Sequence, residues 1–312
     1  MRRRRIPRLG TPRLDFVVIG AQKAGTTALW RYLEDNPGLR LPPHKEAAFF
    51  SEPEYPAGLR SYMRALFRDA PARAKLGTVT PTYMLGSPGA PPPVIAERIA
   101  ATFPDTKLVA LLRDPVERAA SHHRMSVRRG VDERSFEEAV AEALTPDALE
   151  RSRSRPTPTN TYVTAGEYGR ILAAYVERFG RDQLHVEPSA GLERDPGPVV
   201  RRVCEFVGVR PHEPRRLGER FHVSGSRPRI DPDGAAELKD HLRRNAWSRM
   251  RHPEQHEHWF NSWFDDIWNV QPQGPAEPVP ERTARRLHEH FAPDARLLEE
   301  ATGFRAAWLN SR

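Results

Sequence analysis

Residues 14–33 restrict what this chain can fold into more than any other stretch. Four apolar residues, Phe16-Val17-Val18-Ile19, run into Gly20-Ala21-Gln22-Lys23-Ala24-Gly25, and Thr26-Thr27 then open a segment with Leu29, Trp30 and Leu33 at helical spacing. The pattern predicts a buried strand, a glycine-bounded loop and a helix with one apolar face. Such a loop makes an anion cradle. Its glycines let backbone approach a ligand closely, and the first-turn amides of the helix point outward with no partner within the helix. Lys23 adds a mobile positive charge, and Thr26 and Thr27 add hydroxyl donors. An ordinary turn in an α/β protein is the plainer account of the same residues.

The rest of the chain alternates in the same way. A second continuous apolar run, Lys107 to Leu112, predicts another buried strand, and shorter strands are expected at 39–41, 77–79 and 183–186. Helices are expected at 57–69, 94–103, 116–129, 132–150, 168–179, 195–206 and 235–250, with two final ones at 281–291 and 294–303. Strands alternating with helices predict an α/β fold whose central sheet is mostly parallel and flanked by helices. The polar, proline-interrupted stretch from Arg151 to Asn160 is expected to be a mobile loop and a candidate cover for an acceptor site. Pro272 to Pro280 has the composition of a linker, and the tryptophan-rich piece from Trp259 to Trp268 is expected to pack without an assigned place.

With 312 residues the chain is long enough for a well-buried core. We expect a basic disordered arm at 1–13 and a single domain over 14–312. The arm lacks the apolar segment of a secretory signal, and no run approaches the roughly 18 apolar residues of a membrane span. The formal charge of +8 is compatible with nucleic acid, a membrane surface or an anionic ligand. Scattered arginines and the lack of a nucleic-acid-binding motif argue against the first. One cysteine, Cys204, excludes an intrachain disulfide, fits a reducing, cytoplasmic setting, and is expected to be a buried core thiol. The histidines show no spacing that suggests a metal site, so no metal is expected.

A second anion-binding segment lies at the exit of the second strand, Leu112-Arg113-Asp114-Pro115-Val116-Glu117-Arg118-Ala119-Ala120-Ser121. Arg113 sits at a strand end, where α/β proteins bind ligands, and Ser121 lies two helical turns on, able to share a face with Arg118 or Glu117. A local Arg113–Asp114 ion pair capping a helix is the plainer account. The glycine-containing basic loop His222 to Ile230 adds Ser226, Arg227 and Arg229.

The first loop departs from the nucleoside triphosphatase pattern, in which lysine directly follows the second glycine. Here Thr26 follows Gly25, and Lys23 stands two residues before it. The shifted lysine, Lys45-Glu46-x-x-Phe49-Phe50, Thr80-Pro81-x-Tyr83 and the Arg113 to Ser121 segment together resemble the sulfotransferases that use 3'-phosphoadenosine 5'-phosphosulfate (PAPS). The resemblance is to the branch containing the heparan sulfate N- and 3-O-sulfotransferases, and it extends over about residues 14–310. It implies a three-layer, P-loop-like α/β fold, a PAPS donor and adenosine 3',5'-bisphosphate as product. It implies that Lys23, Ala24, Gly25, Thr26 and Thr27 hold the 5'-phosphosulfate, that Arg113 and Ser121 hold the 3'-phosphate, and that Ser226, Arg227 and Arg229 form a late nucleotide loop. Glu46 becomes the general base that takes the acceptor's proton, with His44 a rival. Lys23 becomes the charge that stabilises the leaving phosphate.

Val79 stands where the glycan enzymes often carry a lysine that orients a polyanionic sugar, which argues against a heparin-like acceptor. A soluble bacterial enzyme acting on a small molecule, a lipid or a sugar, at a hydroxyl or an amine, fits better. Two other function classes remain open at this point, a kinase or nucleotide hydrolase using Mg-ATP and a non-catalytic nucleotide- or polyanion-binding module.

Overall fold

The structure, a computed structural model, describes residues 13–42, 45–52, 55, 57–214, 237, 240 and 277–309. The arm before Arg13, His44, the Ser226-Arg227-Arg229 loop, the Trp259 to Trp268 piece, and most of the expected 235–250 helix and 272–280 linker lie outside the described residues. The chain divides into two compact units. The first comprises Met1–Arg124, Arg134–Gly218 and Val279–Arg312, and it contains the sheet; the second comprises Met125–Glu133 and Glu219–Pro278.

Five parallel strands form the sheet in the order β2-β3-β1-β4-β5: β1 Phe16–Gly20, β2 Leu39–Arg40, β3 Lys75–Val79, β4 Lys107–Leu112 and β5 Leu184–Pro188. β1 is central and buried along its whole length, as its unbroken apolar run requires. Val18 pairs with Val79 on one side and with Val109 on the other. Fully burying a side chain such as Val18 or Ile19 contributes about 1.5–3 kcal/mol, so the two neighbours fix the register firmly.

Among the described residues the bounded α-helices are α1 Thr26–Glu34, α2 Leu59–Leu66, α3 Pro92–Thr102, α4 Pro115–Arg128, α5 Phe136–Ala143, α6 Pro146–Ser154, α7 Tyr168–Phe179, α8 Ser189–Arg194, α9 Pro196–Val207 and α10 Glu281–Thr302. The β1-α1-β2 crossover travels one way across the sheet and β3-α3-β4 the other. Right-handed connections therefore put α1 and α3 on opposite faces. α7 joins α3 and α10, whereas α9 packs beside α1. The result is three layers, helices on each side of one parallel sheet. Because the two crossovers diverge on either side of β1, the edge where β1 and β4 end is where such sheets place ligands.

Three expectations need correction. The single helix expected over 132–150 is two, α5 and α6, because Pro146 cannot continue a helix and instead opens the next one. α6 then extends to Ser154, into the stretch expected to be a loop. There Arg153 forms a two-pronged pair with Glu167 (2.7 and 3.0 Å), and Ser152 Oγ donates to Asn160 O at 2.8 Å. The two final helices are one, α10, with Pro293 inside it. Its buried stripe of Leu287, Phe291, Ala295 and Leu298 runs unbroken past the proline and packs on α7, and that continuous apolar face outweighs the backbone hydrogen bond lost at Pro293. Cys204 is buried on α9, as expected.

Candidate active site at the carboxyl edge of the sheet

The loop between β1 and α1 is tied down by two bonds. Ala21 N donates to Leu111 O of β4 at 2.7 Å, and Ala24 N donates back to Ala21 O at 3.2 Å. Gly25 caps α1 with φ +89°, a backbone that favours glycine. At Gly20 a Cβ would lie 2.4 Å from Met84 Sδ, so only glycine lets the segment after β3 approach this close. Lys23 itself has φ +71° and is partly buried. Ala24 and Thr26 are buried, and Thr27 is half-buried at the start of α1. Lys23 to Thr27 thus form one compact turn opening at the end of β1.

Glu46 is held at the neighbouring strand end. Its amide donates to Val79 O, the last residue of β3, at 2.9 Å. The next carbonyl, Ala47 O, accepts from Tyr83 Oη at 2.6 Å and from Thr80 Oγ1 at 3.3 Å. Thr80 and Tyr83 of the Thr80-Pro81-x-Tyr83 piece therefore clamp the backbone that presents Glu46. Burial pushes the Tyr83 phenol well above its ordinary value, which keeps it a donor. Phe49 and Phe50 anchor the far side. Phe49 stacks on Tyr62 at 4.6 Å, and Phe50 meets Tyr83 edge-on at 5.9 Å. Glu46 adopts φ +73°, and its half-exposed carboxylate lies 2.9 Å from Lys45 Nζ.

On the other side of β1, β4 delivers Arg113. Tyr168 Oη donates to Arg113 O at 3.0 Å, fixing the turn, and Asp114 Oδ1 caps α4 by accepting from Val116 N (2.9 Å) and Glu117 N (3.1 Å). The Arg113 side chain leans along α4 to Glu117, 3.3 Å away. Asp114 thus serves as a helix cap, and the ion pair of Arg113 is with Glu117. Ser121 is half-buried one turn beyond Glu117. Glu117 is exposed beside it, whereas Arg118, three residues before it, is fully buried and donates to Tyr162 O. Adjacent strands lie about 4.8 Å apart, so β3, β1 and β4 bring Glu46, the Lys23 loop and Arg113 to one edge, in that order.

Ser226, Arg227 and Arg229 lie outside the described residues. One contributor was missed in the sequence: Tyr168, read only as the start of a helix, donates to Arg113 O and fixes the turn that carries Arg113.

Among the described residues no helix is long and apolar enough to cross a membrane, and no three His, Cys, Asp or Glu side chains lie together as a metal site would need. The chain is 30% identical over 200 residues to the mouse (Mus musculus) heparan sulfate glucosamine 3-O-sulfotransferase 3B1, covering 62% of this chain and 46% of that protein. It is 28% identical over 207 residues to the mouse bifunctional heparan sulfate N-deacetylase/N-sulfotransferase 4, covering 63% of this chain and 22% of that protein. It therefore spans less than half the length of these relatives. The crystal structure of a sulfotransferase from Alicyclobacillus acidocaldarius superposes with a TM-score of 0.64 at 26% identity, covering 96% of this chain and 99% of that one. The family model described as Sulfotransferase domain matches residues 13–252, and the chain belongs to that family.

Proposed function

We propose that this chain moves the sulfuryl group of PAPS to a hydroxyl or amine of a small-molecule, lipid or sugar acceptor, with Glu46 as general base and Lys23 as the charge that stabilises the departing phosphate. One observation carries the reading. The Lys23 loop and the Arg113–Ser121 segment open from the carboxyl ends of adjacent parallel strands, which suits a donor with an anion at each end of a nucleoside. The single cysteine, Cys204, supports a reducing, cytoplasmic setting.

PAPS, when bound, supplies a sulfuryl group attached to a phosphate that leaves as part of adenosine 3',5'-bisphosphate. The chain's own groups do the remainder. Lys23, the loop amides and the Thr26 and Thr27 hydroxyls meet the charge that grows on the 5'-phosphate, and because the loop is already folded they do so with little reorganisation. Arg113 and Ser121 hold the 3'-phosphate; a guanidinium matches a phosphate with two parallel donors. Lys45 occupies Glu46 Oε1 at 2.9 Å, which leaves Oε2 to take the acceptor's proton as the nucleophile attacks. Ser226, Arg227 and Arg229 complete the nucleotide site in this reading.

Isothermal titration with adenosine 3',5'-bisphosphate, beside AMP, ADP and Mg-ATP, tests the donor. Tight binding of the bisphosphate without magnesium, lost in Arg113→Ala, is the expected result. A preference for Mg-ATP would overturn it in favour of a kinase or nucleotide hydrolase.

A further inference from the structure

α4 faces outward at the site along one narrow stripe. Glu117, Ser121 and Arg124 stand at i, i+4 and i+7, within about 60° of one another around the helix axis. Arg118, Ala119, Ala120, His122 and His123 between them are buried. Helical side chains lean toward the helix N-terminus, so a guanidinium at position 124 can reach back over Ser121 toward Glu117. Arg113 arrives at the same turn from the end of β4 and pairs with Glu117 at 3.3 Å. Burial lowers the Arg124 pKa, nearby Glu117 opposes that shift and nearby Arg113 adds to it, which puts the three charges within electrostatic reach of one another. Yet Arg124 is half-buried and makes no hydrogen bond or ion pair with any described residue. A guanidinium partly withdrawn from water without an acceptor is unfavourable, and an anion at Ser121 would supply that acceptor.

We propose that Arg124 is a second phosphate-binding arginine of this site. It reaches Ser121 from the side opposite Arg113, so that the nucleotide's 3'-phosphate is held between two guanidinia with the Ser121 hydroxyl as a further donor. Glu117 is the internal counterion that Arg113 releases when the phosphate arrives. The proposal rests on the PAPS reading and extends it to two residues with opposite effects on binding. Loss of Arg124 removes a charge-assisted contact, whereas loss of the Glu117 charge removes a competitor.

The test is titration of the whole chain, wild type, Arg124→Ala, Arg124→Lys and Glu117→Gln, with adenosine 3',5'-bisphosphate and with 5'-AMP, which lacks the 3'-phosphate. Arg124→Ala should weaken the bisphosphate about 10- to 100-fold and leave 5'-AMP unchanged. Arg124→Lys should recover part of the loss, and Glu117→Gln should tighten the bisphosphate up to about fivefold. An Arg124→Ala chain that discriminates as well as the wild type, or that loses both ligands equally, would overturn the assignment. A wild type that does not distinguish the two ligands would instead overturn the donor reading beneath it.

Discussion

Lys23 and Glu46 share a backbone conformation found at no other non-glycine residue among those described, φ +71° at one and +73° at the other. They lie in different loops, at the ends of adjacent strands β1 and β3. A side-chain-bearing residue in this left-handed region costs about 1–2 kcal/mol, and such strain concentrates where a side chain must be aimed. The strain falls on the two residues assigned to the chemistry.

That coincidence separates backbone from side chain by experiment. Lys23→Ala and Lys23→Gly both remove the ammonium and should both lower turnover about 10²- to 10³-fold. Glycine tolerates positive φ and alanine does not, so the glycine variant should be the more stable of the two by about 1 kcal/mol in urea denaturation. Equal stabilities would mean that the left-handed backbone at Lys23 carries no strain.

Glu46 and Arg113 should divide the work. Glu46→Gln should cut turnover about 10²- to 10⁴-fold with bisphosphate binding retained. Arg113→Ala should weaken bisphosphate binding more than it slows transfer from the bound state. Titration showing that Glu46→Gln abolishes nucleotide binding would remove the base assignment.

Between the helices, Gly169 is a packing requirement. A Cβ there would sit 2.1 Å from Asp294 O and 2.7 Å from Leu298 N, both backbone atoms of α10. Backbone cannot swing aside as a side chain can, so Gly169→Ala should destabilise the fold by about 1–3 kcal/mol or more. A melting temperature equal to wild type would show that α7 and α10 are not packed this closely.

Acid should weaken the contact of α10 with α6 and α7 through Glu167. Burial alone would raise its pKa, but contacts from His290 (3.0 Å), Arg153 (2.7 Å) and Arg170 (2.5 Å) outweigh it and hold the carboxyl at about 2. A folded-state pKa below the ordinary value of about 4.3 means stability that is present above that value and lost as pH falls toward 2, on the order of 3 kcal/mol. Asp294, pushed up by burial, acts in the opposite sense. Urea midpoints between pH 5 and pH 2 should fall less steeply in Glu167→Gln than in wild type. Parallel slopes would contradict the role given to Glu167.

The sheet and the anion loops were legible because their signals are local. β1 and β4 are unbroken apolar runs, and a glycine-bounded turn or an arginine at a strand exit can be read within ten residues. The clamp on Glu46 was not, because it depends on Tyr83 and Thr80 reaching Ala47 O across more than thirty residues. α10 was broken at Pro293 by a local rule, whereas its packing against α7 is a long-range fact. Arg124 was hidden by abundance. In an arginine-rich chain, only the knowledge of which face of α4 is open separates it from its neighbours.

The most direct measurement is transfer itself. Incubate the protein with PAPS and a panel of alcohol, amine, lipid and sugar acceptors, and quantify sulfated product and adenosine 3',5'-bisphosphate by mass spectrometry. The account predicts the two products in equal amounts with at least one acceptor class, nearly abolished in Glu46→Gln, which still binds the bisphosphate. Tight bisphosphate binding with no transfer to any class, identical in wild type and Glu46→Gln, would contradict it and leave a nucleotide-binding module.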